Sequence, residues 1–122
     1  MAGQDDREDA AMARYTIIVL SNPVAGREAE YDTWYTNTHI LDLLKVPGIK
    51  AAQRFGMVEA HTSGASQRYI AQYDVETDDI DATMAIVQSR LGGPEMPMTD
   101  AFDMSSAVFL VAKAITDKVA AK

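Results

Sequence analysis

Cysteine is absent from the 122-residue chain. Its absence excludes disulfides, thiolate metal sites and a cysteine nucleophile. Histidine occurs only twice and tryptophan once, and the histidines, His39 and His61, stand far apart without HxH or HxxxH spacing. No metal shell is therefore expected. No apolar run approaches the ~18 residues that a membrane-spanning helix needs, so no membrane partner is expected. Cations are in the minority, with 11 Lys and Arg against 18 Asp and Glu and a net charge of −7. That balance disfavours a nucleic-acid partner, because a phosphate backbone selects basic patches. The acidity reads as solubility. The opening MAGQDDREDAAMAR is acidic where a secretory leader is basic and then apolar, so the expectation is a cytoplasmic protein. Phosphate loop, nucleophile elbow and dinucleotide fingerprint are all missing, and no cofactor is expected.

What remains is an ordinary globular composition, 48% apolar and 24% charged, with room for one core. Residues 1–13 lack periodicity and read as a mobile acidic tail. A single domain is expected over 14–115, followed by a polar end at 116–122. Tyr15–Leu20 (YTIIVL) is a β-branched run apolar on both faces, and Ser21-Asn22-Pro23 is expected to stop it. A helix from about Arg27 to Leu44 follows. Its Tyr31, Tyr35, His39 and Leu43 recur every four residues, with Trp34 and Leu41 beside them. Pro47-Gly48 ends it and turns the chain. Ile49–Val58 and Arg68–Val75 read as strands joined by a polar loop. In the first, Lys50, Ala52 and Arg54 are expected on one face and Ala51, Gln53 and Phe55 on the other. Thr77 is the expected N-cap of a second helix that runs to about Leu91 with Ile80, Met84 and Val87 on its buried stripe. Glu95–Met104, with three methionines, reads as an irregular lid or dimer-edge segment. Ser106–Ala114 is the last strand.

The order strand, helix, strand, strand, helix, strand implies a ferredoxin-like α+β fold, an antiparallel four-stranded sheet with both helices on one face. The first and last strands are apolar on both faces. A bare apolar sheet face is a liability in a monomer, so a homodimer packed sheet to sheet is expected.

Each candidate for chemistry has two readings. His39 titrates near neutral pH and could move a proton, or it could be a packing histidine that bonds a carbonyl. Tyr35 shares its stripe and is the second catalytic candidate. Trp34, Tyr69 and Tyr73 could wall a flat organic ligand or simply fill the core. Arg54, mid-strand, could fork onto a ligand carboxylate or pair with Asp74 or Glu59. Asn22 could place an amide at a cavity mouth or form the turn before Pro23.

The run WYTNTHILDLLKVPGIKAAQRF, with this element order, resembles the EthD-like branch of the dimeric α/β-barrel superfamily. The resemblance is carried by Trp34-Tyr35, His39, Asp42 and Pro47-Gly48. It departs where relatives often have His-x-Pro, since this chain has His39-Ile40-Leu41. Members include cofactor-free isomerases of aromatic-acid degradation, polyketide cyclases, decarboxylases and haem-degrading monooxygenases, and others have no established activity. The resemblance implies a cofactor-independent lyase or isomerase acting on a small apolar or aromatic organic acid. His39 would be its acid/base, Tyr35 would orient and Arg54 would anchor. The alternative is a binding or purely structural dimer.

Overall fold

The computed structural model describes residues 12–122, so most of the expected acidic tail lies outside the described residues. Four strands, β1 (Ala13–Pro23), β2 (Ile49–Gly56), β3 (Tyr69–Thr77) and β4 (Phe102–Lys113), form one antiparallel sheet in the order β2-β3-β1-β4. Helix α1 covers residues 28–43 and α2 is Ile80–Arg90. This is the α+β ferredoxin-like arrangement. No helix among the described residues is long and apolar enough to cross a membrane.

Side-chain alternation decides which sheet face the helices cover. Ile17, Val19, Ser21, Ala71, Tyr73, Val75 and Thr77 are buried on the inner face with Tyr31, Tyr35 and Leu43 of α1. The outer face is different. Phe55, Ile70, Leu20 and Val108 are register partners across all four strands, so one row of that face is wholly apolar. Beside it, Ile18 pairs with Leu110.

Several boundaries differ from the sequence expectation. β1 continues through Ser21 and Asn22 to Pro23 instead of ending at Leu20. Asn22 and Pro23 pair with Asp103 and Phe102, which makes the start of β4 part of the segment expected to be irregular. The β1–β4 register breaks between Leu20 and Asn22, and β4 takes up the slack over residues 104–107. In β2, Ile49 pairs with Val75 and Ala51 with the adjacent Asp74, so Lys50 bulges out of the alternation expected to set it beside Ala52. Thr77 ends β3 and is not the helix cap. Asp79 caps α2, its Oδ1 accepting from the Ala82 N–H at 3.0 Å. Thr77 Oγ1 instead accepts from the Asp79 N–H at 3.1 Å and from Thr83 Oγ1 at 2.8 Å, which ties β3 to α2. The Pro47-Gly48 turn needs its glycine. Gly48 has φ +97°, and a Cβ there would lie 3.1 Å from the Glu76 carbonyl oxygen.

Candidate active-site cavity

Helix α1 is not uniform. It is α-helical over Glu28–Trp34, π-helical over Tyr35–His39 and α-helical again over Ile40–Leu43. At 3.6 residues per turn a four-residue repeat drifts about 40° around an α-helix at each step. The wider π turn offsets that drift, and Tyr31, Tyr35, His39 and Leu43 all stay buried. A four-residue spacing sustained over four side chains is the sequence signal for this turn.

The turn delivers Tyr35 and His39 to a cavity of about 270 Å³ between the helices and the sheet. Ile17 and Val19 of β1 and Tyr73 of β3 form its floor, with Phe102 and Phe109 of β4 at one side. Leu43 closes the α1 wall, and Met84, Val87 and Gln88 of α2 face it with Leu91. Met98 and Met104 complete the rim, Met104 from the register break of β4. Three of the lining residues are thus methionines, which adapt to irregular apolar surfaces.

His39 is 7% exposed and stacks on Trp34, with ring centroids 4.4 Å apart and planes at 21°. It also meets the Tyr35 ring edge-on at 5.3 Å. Burial pulls the imidazole down to a pKa of about 4, so it is neutral at pH 7. Its Nδ1 is buried without a hydrogen-bond partner among the described residues, as is Tyr73 Oη. Burial pushes the Tyr35 and Tyr73 hydroxyls well up, the latter further raised by Tyr35. Tyr35 is close enough to raise the Tyr73 hydroxyl, yet no hydrogen bond is closed at Tyr73 Oη among the described residues. A buried hydroxyl with no partner costs stability, so Tyr73→Phe is expected to unfold no earlier in urea than the parent and to gain up to about 1 kcal/mol. A loss of stability in that variant would mean the hydroxyl is bonded.

The other candidates lie around this cavity instead of lining it. Trp34 backs His39 and donates from Nε1 to the Pro97 carbonyl at 3.0 Å, which pins the 91–101 loop to α1. Thr99 strengthens that link by donating to Glu30 at 2.8 Å, and Arg27 and Thr99 together hold the Glu30 carboxyl below its usual range. Arg54 pairs with neither Asp74 nor Glu59. Its Nη1 donates to Asp32 Oδ1 at 2.6 Å and to Thr36 Oγ1 at 2.8 Å, one residue on each side of where the π turn begins. Its guanidinium lies 4.7 Å from the Tyr35 ring centroid and 5.7 Å from that of Tyr69. Tyr69 also packs on Tyr31, whose hydroxyl shares a 2.6 Å hydrogen bond with Ser21. Asn22 stitches loops together, its Oδ1 accepting from the Arg68 N–H at 2.7 Å and its Nδ2 donating to Ser66 O at 3.2 Å. Asp42 is buried near the end of α1 and does not line the cavity.

No family model matches the chain, and no curated protein matches it. Among solved structures, the chain is similar to the crystal structure of an ethyl tert-butyl ether (EthD) family protein from Bacillus halodurans C-125. The TM-score is 0.55 at 17% identity, over 84% of this chain and 99% of that one. The chain has the EthD-like fold. Within that fold the cavity brings together Tyr35, His39 and Tyr73 of the candidates read from sequence. Gln88 is the lining polar residue that sequence reasoning missed. The available signal was its place four residues after Met84 and next to the buried Val87, at the exposed edge of α2.

Proposed function

We propose that this EthD-like protein binds a small, largely apolar organic molecule in the cavity and moves a proton on it without a cofactor, as a lyase or isomerase. One observation carries the reading: a single cavity reaches both His39 and Tyr35. His39 is in its basic form at neutral pH, ready to accept a proton. A base of such low proton affinity suits a C–H already acidified by a neighbouring carbonyl. The proton leaves carbon for the imidazole and returns to another carbon in an isomerisation, or accompanies a departing group in an elimination. The face of Trp34 against His39 favours the transient imidazolium. Tyr35, edge-on to His39, orients the acceptor end of the substrate. Arg54 acts through the helix, holding Asp32 and Thr36 so that the π turn keeps its aim.

The test is exchange. Ring-sized ketones and lactones incubated with the protein in D₂O should exchange their α protons faster than without it, as read by NMR. Compounds that bind in the cavity and never exchange would leave binding alone, the second reading, which the low proton affinity of His39 favours.

The unit in this reading is a homodimer. The apolar row Phe55–Ile70–Leu20–Val108 supports it, because a second copy presents the same row to the first.

A further inference from the structure

Among the described residues that line the cavity, none is Asp, Glu, Lys or Arg. The polar lining is Tyr35, His39, Tyr73 and Gln88. The guanidinium expected to meet a carboxylate is occupied, since Arg54 is held by Asp32 at 2.6 Å and Thr36 at 2.8 Å. The Arg54 backbone also stands across the sheet from the cavity wall, while its side chain reaches the Tyr35 ring, with the guanidinium 4.7 Å from the centroid. Arg54 pairs with Ala71, Ala71 with Val19 and Val19 with Phe109, so its strand lies roughly 10 Å from Val19 and 14 Å from Phe109, both on the cavity wall.

An ion entering this space gives up water and meets no charged side chain in the lining, and the nearby Arg54 is already paired with Asp32. A neutral hydroxyl or carbonyl fares differently. Tyr73 Oη lacks a partner among the described residues, and Gln88 offers both a donor and an acceptor at the rim. Volume narrows the class further. The cavity, about 270 Å³, exceeds the roughly 150 Å³ that holds benzene and falls just short of the ~300 Å³ at which drug-sized pockets begin.

Resting on the cavity as the functional site, we infer that its ligand is uncharged: a single-ring apolar compound with one hydroxyl or carbonyl head, such as a phenol, cyclic ketone or ester. The organic acid expected from Arg54 gives way to a neutral molecule of similar size.

The experiment compares matched ring compounds at pH 7.5 with the full chain: p-cresol, methyl benzoate, benzoate and benzylamine. Calorimetry gives affinity. Trp34, the only tryptophan and stacked on His39, gives a fluorescence signal local to the cavity. The two neutral compounds should bind and change that fluorescence, and the two ions should bind at least about tenfold more weakly. Gln88→Lys, at an exposed rim position, should then raise benzoate affinity about tenfold and leave p-cresol within about threefold. Benzoate binding the parent as well as its methyl ester does would overturn the charge inference and leave the cavity reading standing. If no ring compound binds, the cavity reading fails and this inference fails with it; Gln88→Lys leaving benzoate unchanged while p-cresol still binds would overturn the charge inference alone.

Discussion

Replacing His39 by glutamine is expected to remove about 3 kcal/mol of acid sensitivity from the fold and to lower proton exchange by about 10²–10⁴-fold. The first effect follows from burial. In the unfolded chain the imidazole takes a proton near its ordinary pKa of 6.5, whereas in the folded protein burial delays protonation until about 4. The unfolded state therefore binds more protons throughout that window. The neutral histidine's contribution is fully present above pH 6.5, is lost progressively as pH falls, and is gone below about 4. Glutamine keeps hydrogen-bonding capacity but does not titrate. Urea unfolding of both proteins between pH 7.5 and 4 isolates the difference, because carboxylate titration is common to the two. Parallel stability curves would mean that His39 is not held neutral by burial. The second effect uses the same variant: a folded His39→Gln protein that exchanges substrate protons at the parental rate would remove His39 from the chemistry.

The elements were legible because local chemistry set them. YTIIVL reads as a strand and its Ile17 and Val19 are buried, and the four-residue stripe from Tyr31 to Leu43 reads as a buried helix face. What escaped was set by distant partners. Phe102–Met104 has the composition of a loop and becomes strand because Asn22 pairs with Asp103 and Pro23 with Phe102. Pro23 is tolerated there because it is the last residue of β1, where the missing N–H ends the ladder. Thr77 and Asp79 are both good caps, and the pairing of Thr77 with Ala13 at the end of β3 leaves the cap to Asp79. Arg54 shows the limit most clearly. Its charge and mid-strand place are readable, but its partner Asp32 lies 22 positions away on another element. Nothing in the spacing selects that acid over Asp74 or Glu59. His39 and Tyr35 were found because their stripe had to face the sheet. Gln88 was missed because a lone glutamine on a helix reads as solvent-facing.

On the proposed homodimer, Ile18→Glu should yield a folded monomer, raising the dissociation constant by at least about 10³-fold. Ile18 sits near the centre of the outer face, paired with Gln72 on one side and Leu110 on the other. It adjoins Leu20, a member of the wholly apolar row. In a two-fold interface each copy contributes the same position, so one substitution buries two carboxylates against apolar surface. Removing both from water costs several kcal/mol, which is the source of the thousandfold figure. Light scattering should give the parent twice the 13.3 kDa chain mass and the variant the chain mass itself. Ser89→Glu, on the exposed side of α2, should leave the dimer intact. A parent that stays monomeric at tens of micromolar would sink the dimer reading and leave the apolar row to some other cover. Side-chain alternation makes the experiment clean. Ile17 and Val19 keep their places in the core while Ile18 points away from it. The new charge therefore meets the second copy and not the protein's own interior, and far-UV circular dichroism of the monomer should match the parent.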